Sequence, residues 1–149
     1  MANSDSFSST WGPRLLSVLR IIAAFMLLQH GAQKLFGVLM PLGPTGAPQE
    51  HGQFQLFSLT GVAGILEFVG PLLLILGLFT RPVAFILSGL MACAYFIGHF
   101  KQGWYGFWPI LNRGELAALY SFVFLYIAVA GGGAWSLDRL LRRDRPSYR

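Results

Sequence analysis

Four long apolar runs divide the chain, and each is bounded by polar or helix-breaking residues. They lie at about residues 15–37, 59–79, 82–100 and 115–135. Their hydrophobic positions are continuous rather than alternating, and the runs are too long for the strands of a membrane barrel. A bilayer core of about 30 Å needs about 20 helical residues, so these lengths predict four transmembrane helices. The pattern therefore predicts an all-α, four-helix membrane bundle.

The polar stretches beside these runs predict the domain organisation. We expect the Ser-rich residues 1–13 to form a flexible polar leader and residues 14–138 to form the membrane domain. Residues 38–57 carry several prolines and glycines, which stop a helix and favour an irregular loop. Residues 139–149 are expected to form a basic cytoplasmic tail. Ser136, just before it, is placed to cap a short amphipathic helical turn over residues 136–143.

Composition strengthens the case for a membrane protein. Hydrophobic residues make up 54% of the 149 residues and charged residues only 11%, whereas a soluble domain carries about 25% charged residues. So few charges cannot cover the surface of a soluble enzyme. The chain has one cysteine, which excludes an intramolecular disulfide and a cysteine zinc site. We expect no metal site and no covalently attached cofactor.

The basic residues behind the net charge of +5 are unevenly distributed and predict an orientation. In a protein with four spans, three bases fall on one side and eight on the other, and the positive-inside rule then places both termini in the cytoplasm. This distribution favours anionic lipid at the tail over any nucleic-acid partner. Arg20 is interpreted as a base that reaches toward the membrane surface. The eight bases are Arg14, Arg20, Arg81, Arg139, Arg142, Arg143, Arg145 and Arg149.

Glu67 is the most informative single residue, because it is the one charged residue of the second run and lies close to the predicted midplane. A charged side chain there costs about 2.5–3.5 kcal/mol on insertion scales, so a partner must offset it. Pro71, four residues later, has no N–H to bond the Glu67 carbonyl. Two interpretations stay open, a structural polar clasp and a functional proton or ligand site.

Further polar candidates lie at the ends of the other runs. Gln29, His30, Gln33 and Lys34 have the spacing of one helical stripe, which we expect to face Glu67. His99 and Glu115 end the third run and start the fourth, so they should face the same membrane surface. Haem bound between the two histidines is not expected.

The ordered set of short motifs resembles the DoxX family. The resemblance implies a four-helix, multi-pass protein of the bacterial inner membrane, and the family takes its name from subunits associated with quinone-linked sulfur oxidation. The motifs that carry it are His30-Gly31-x-Gln33-Lys34-Leu35-Phe36-Gly37, Glu67 with Gly70, Gly77-Leu78-Phe79-Thr80-Arg81-Pro82, Asn112-x-Gly114-Glu115-Leu116 and Gly131-x-Gly133-x-Trp135-Ser136-Leu137-Asp138.

Three functions are compatible with these residues. The first is an accessory subunit of a membrane redox or detoxification complex, with an intramembrane polar pocket for a quinone or other small molecule. The sequence shows no self-contained catalytic apparatus, so a partner protein would supply the electrons. The second is a non-catalytic scaffold or assembly factor that binds partner proteins or further copies of itself. The third is a transporter of small solutes or protons, which would require an oligomer or a widened bundle.

Overall fold

The computed structural model describes residues 2–39, 57–100 and 104–143, and these residues form helices and connecting turns with no strand. The all-α prediction is therefore confirmed. Most of the predicted loop 38–57, and the tail beyond residue 143, lie outside the described residues. The helices are α1 (Ala2–Phe36), α2 (Leu59–Leu76), α3 (Thr80–Cys93), α4 (Trp104–Phe107), α5 (Pro109–Asn112), α6 (Glu115–Ala130) and α7 (Leu137–Arg143), and a π-helical turn at Ala94–His99 continues α3.

Within the described part of the chain, three helical segments are long and apolar enough to cross a bilayer. They are Ser9–Phe36, Leu59–Leu76 and Thr80–His99. Helix α6 is equally apolar in character but has 16 residues, which span about 24 Å at 1.5 Å per residue. The structure thus agrees with a membrane protein, while the fourth span and the orientation of the termini stay predictions.

Helix α1 begins at Ala2, well before the apolar run that starts at residue 15. An apolar run marks the part of a helix that suits hydrocarbon and carries no signal for a polar extension. Pro13 lies inside α1 and lacks the N–H of an ordinary helical residue. Its carbonyl accepts hydrogen bonds from the Ser17 hydroxyl at 3.0 Å and from the Ala134 N–H at 2.9 Å. This part of α1 therefore anchors the loop that follows α6.

The turn between α2 and α3 is fixed by a glycine and a distant carboxylate. Gly77 ends α2 with φ 68°, a conformation that glycine adopts without strain. The Asp138 carboxylate accepts hydrogen bonds from the N–H groups of Phe79 and Thr80, both at 2.8 Å, and so caps the start of α3. Asp138 lies in the first turn of α7, whose own first turn is capped by the Ser136 hydroxyl, as predicted.

The four long helices pack as two pairs around a small apolar core. Helix α1 contacts mainly α2, and α3 contacts mainly α6. The close approach of α1 and α2 depends on Gly31, because a Cβ atom there would lie 2.5 Å from the carbonyl carbon and oxygen of Glu67. The fully buried core side chains include Leu27, Leu74, Leu87, Phe124 and Ile127.

Arg20 corrects the sequence interpretation, because its side chain is fully buried and does not reach the surface. Its guanidinium donates hydrogen bonds to the carbonyls of Leu74, Ile75 (3.0 Å), Gly132 (2.9 Å) and Trp135 (2.6 Å). The first two carbonyls belong to the last turn of α2, where helical N–H donors run out; the Leu74 carbonyl also accepts from the Gly77 N–H at 3.0 Å. The planar guanidinium therefore ties α1 to the end of α2 and to the loop after α6.

We predict that Arg20→Lys lowers the thermal unfolding midpoint of the protein in detergent. A single ammonium group cannot bond carbonyls of both the α2 end and the loop after α6, and each buried carbonyl left unpaired costs about 1–3 kcal/mol. Arg14→Lys is the matched control, because Arg14 lies on the exposed surface of the same helix, and its midpoint should stay within the error of the wild type. Equal midpoints for Arg20→Lys and wild type would contradict the assigned role.

We also predict that Gly31→Ala destabilises the protein by about 1–3 kcal/mol, since the new methyl group meets the α2 backbone and forces the helices apart. Gly89→Ala is the matched control. Gly89 is also a helical glycine, but a Cβ there would have no atom within 4 Å, and alanine should stabilise the helix slightly. Thermal unfolding monitored by circular dichroism compares the two, and similar destabilisation by both would argue against the close α1–α2 contact.

Candidate functional site

An ion pair joins the two helices whose contact Gly31 permits. Lys34 lies in the last turn of α1 and Glu67 in the middle of α2. The Lys34 ammonium lies 2.5 Å from one Glu67 carboxylate oxygen and 2.6 Å from the other. The Glu67 side chain is 2% exposed and that of Lys34 33% exposed. The sequence required a partner for the buried Glu67 carboxylate. That partner is Lys34, whose ammonium bonds both carboxylate oxygens.

A cavity of about 360 Å³ lies beside this pair. The polar lining residues come from α1, α2, α6, the end of the π-helical turn and the residue that follows α5, and the remaining lining residues are apolar. The polar set is His30, Lys34, Glu67, His99, Arg113 and Tyr120, and the apolar set is Leu27, Met91, Ala94, Leu116 and Ala117. Small-molecule sites combine an apolar wall with convergent polar groups, and this cavity has both.

The Tyr120 hydroxyl is the most unusual group in the cavity wall. The side chain is 5% exposed, and its buried hydroxyl has no hydrogen-bond partner among the described residues. The ring stacks on Phe124 with centroids 5.6 Å apart. Buried hydroxyls are hydrogen-bonded in the great majority of proteins. A ligand atom in the cavity would supply the missing partner.

His99 and Arg113 bring two further polar groups to the cavity from irregular backbone. His99 ends the π-helical turn, a conformation that is rare and often found at functional sites. Its Nδ1 atom lies 3.2 Å from the Asn112 carbonyl oxygen, so an Nδ1–H donor leaves Nε2 as the acceptor. Arg113 has φ 60°, a left-handed conformation that costs energy in a non-glycine residue. This conformation ends α5, whose C-cap is Arg113, and the residue lines the cavity.

The structure brings four of the seven candidate side chains together. His30, Lys34, Glu67 and His99 line the cavity. Gln33 instead donates to the Leu39 carbonyl at 2.5 Å. Gln29 and Glu115 are exposed and line no part of the cavity. Glu115 occupies the first turn of α6, where the helix dipole stabilises its negative charge.

The sequence analysis did not identify Tyr120 and Arg113, two of the polar residues that line the cavity. A single tyrosine within an apolar helix looks like packing, and an arginine in a loop looks like a surface charge. The only local signal was the Asn112-x-Gly114 turn beside Arg113. Within the described residues no group of three or more His, Cys, Asp or Glu side chains could hold a metal ion.

Comparisons with known proteins agree with the motifs quoted above. The sequence profile of the DoxX family matches residues 15–100. An uncharacterized protein of Haemophilus influenzae is 48% identical over 126 residues, which cover 85% of this chain and 90% of that protein. An uncharacterized membrane protein of Mycobacterium tuberculosis is 30% identical over 159 aligned positions, covering 96% of this chain and 95% of that protein. No solved structure matches the chain.

We predict that Lys34→Met destabilises the protein more than Glu67→Gln does. Removing the lysine leaves a carboxylate that is 2% exposed without its cation, which costs about 3–5 kcal/mol for a buried pair. Removing the carboxylate charge leaves a lysine that is one-third exposed and can turn toward the headgroups.

The double variant Lys34→Met/Glu67→Gln provides the control for this asymmetry. It removes both charges, so its thermal midpoint in detergent should lie above that of Lys34→Met alone. A double variant that is less stable than both single variants, with additive losses, would show that the two side chains do not interact.

Proposed function

Because the chain belongs to the DoxX family of membrane proteins, we propose that it is a multi-pass protein of the bacterial inner membrane with four spans and cytoplasmic termini. The apolar character of α6 and its packing on α3 support a fourth span. The bias of basic residues toward one side supports the orientation. Within that membrane its role is that of an accessory subunit in a redox or detoxification complex.

The proposed ligand of the polar cavity is a quinone or a small molecule of similar chemistry. The unpartnered Tyr120 hydroxyl carries this assignment, because a quinone carbonyl is an acceptor that would satisfy it. Leu27 and Met91 offer an apolar wall for a ring. The volume of about 360 Å³ lies near the lower end of the range for ligand pockets and suits a single ring.

The remaining polar groups suit the proton side of quinone chemistry. Reduction of a quinone to a quinol takes up two electrons and two protons. His30 and His99 line the cavity, and histidine transfers protons near neutral pH. The electrons would come from a redox partner protein, which is why the proposed role is that of a subunit. This chain would hold the ring, orient its oxygens and deliver protons to them.

A second function, the non-catalytic scaffold, is favoured by the Lys34–Glu67 pair. Lys34 bonds both carboxylate oxygens of Glu67, so the charge of the pair is already satisfied without a ligand. An interhelical clasp of this kind would hold α1 on α2 and present a rigid bundle to partner proteins. A scaffold has no use for the Tyr120 hydroxyl, whereas a quinone site requires it, so a change at Tyr120 distinguishes the two functions.

We predict that purified protein in mild detergent binds a short-chain ubiquinone or menaquinone analogue, measured by isothermal titration calorimetry. Tyr120→Phe should weaken binding about 5- to 15-fold, the loss of roughly one hydrogen bond. Tyr126→Phe is the matched control, because Tyr126 lies on the same helix but is 59% exposed and does not line this cavity. It should bind like the wild type.

Two outcomes would overturn the ligand assignment. One is a wild-type protein that binds neither analogue, and the other is equal affinity of Tyr120→Phe and wild type. Reproducible copurification of partner proteins with both the wild type and Tyr120→Phe, without any quinone bound, would then select the scaffold.

A further inference from the structure

A larger cavity, of about 570 Å³, opens at the opposite end of the bundle from the polar cavity. We call it the arginine groove. Its walls come from the early part of α1 at Leu16, the first turn of α3 at Arg81 and the end of α6 at Tyr126, and its end is closed by Gly131–Gly133 and Arg139. It shares no lining residue with the first cavity. A ligand here would be independent of the proposed quinone.

Two arginines of the groove have no partner for their charge among the described residues. Arg81 and Arg139 are both exposed, and neither side chain makes an ion pair or hydrogen bond within the described part of the chain. Asp138 also lines the groove, but its carboxylate accepts hydrogen bonds from the N–H groups of Phe79 and Thr80, so the two arginines outnumber one acid that is already engaged. The groove therefore presents a net positive surface.

The glycine loop adds backbone donors to this surface. The N–H groups of Gly132 and Gly133 donate to no acceptor within the described residues, although both residues line the groove. Gly131 and Gly133 have φ 92° and 76°, and a Cβ at Gly131 would lie 3.6 Å from the Arg81 guanidinium. Successive glycine N–H groups beside cationic side chains form a common type of phosphate site.

The position of the groove favours a phosphate that belongs to a lipid over a free phosphate. It lies where α3 begins and α6 ends, which is the level of the membrane surface for a bundle of this length. Its walls continue along α6 past Ala130 to the exposed ring of Tyr126 and along α1 to Leu16. This arrangement places the positively charged part of the groove next to side chains that an acyl chain can contact. The headgroup of a phospholipid fits the charged part of the groove, and one of its acyl chains fits the side chains beside it.

We propose that the arginine groove binds the phosphodiester headgroup of one anionic phospholipid, with Arg81 and Arg139 on the phosphate and an acyl chain along Leu16 and Tyr126. The site differs from general attraction of lipid to the basic tail, because it needs two specific arginines and the glycine loop. It also goes beyond the proposed function, which uses only the cavity at the other end.

Native mass spectrometry of the full-length, delipidated protein in mild detergent tests the proposal. Phosphatidylglycerol should bind with a stoichiometry of one per chain, more tightly than phosphatidylcholine with the same acyl chains. Arg81→Gln and Arg139→Gln should each weaken phosphatidylglycerol about fivefold, and the double variant about 25-fold. Arg14→Gln is the matched control, because it removes one exposed charge at the same end without lining the groove. It should bind like the wild type.

Three results would overturn the lipid site. The double variant could bind phosphatidylglycerol as tightly as the wild type, or Arg14→Gln could lose as much affinity as Arg81→Gln, which would indicate general attraction. Glycerol 3-phosphate added alone could bind as tightly as the lipid, which would assign the groove to a free phosphate ester. Thermal unfolding of each variant in detergent confirms that the compared proteins are folded.

Discussion

A carboxylate in the middle of an apolar helix has to find its partner within the protein, since hydrocarbon offers none. In this chain Glu67 finds it in Lys34, which bonds both carboxylate oxygens across the α1–α2 contact. The pair requires the helices to approach closely, and Gly31 allows this by packing on the backbone of Glu67 itself. The cavity lies against the pair, so helix contact, charge balance and the shape of the candidate site depend on one interaction.

The same constraint operates at the other end of the bundle with the opposite charge. There the buried Arg20 has no carboxylate in direct contact and instead bonds backbone carbonyls of α2 and of the loop after α6. The arginine thereby supplies donors at the end of α2, where helical N–H groups run out, and in the loop after α6. Asp138 then closes the start of α3. The fold therefore uses buried charges as connectors, and it leaves unpaired donors at the two cavities.

Apolar run length predicted the helices well, because membrane spans impose a length and a composition that are visible locally. The spacing from Gln29 to Lys34 pointed to a polar stripe beside Glu67, but it could not tell which member would meet the carboxylate: Lys34 bonds it, whereas Gln33 bonds the Leu39 carbonyl. Tyr120 could not be found in this way, because its significance comes from a missing partner across the α3–α6 contact. Arg20 was wrongly interpreted because α1 extends past the apolar run to Ala2, and because the burying loop lies more than a hundred residues away in sequence.

The charge state of Glu67 in the purified protein tests the central claim most directly. Infrared difference spectroscopy of wild type against Glu67→Gln, in detergent or lipid, isolates the absorption of this one carboxyl group. An ion pair with Lys34 predicts that the bands of an ionised carboxylate disappear in the variant. Loss of the carbonyl band of a neutral carboxylic acid would contradict the account, because a neutral acid needs no lysine.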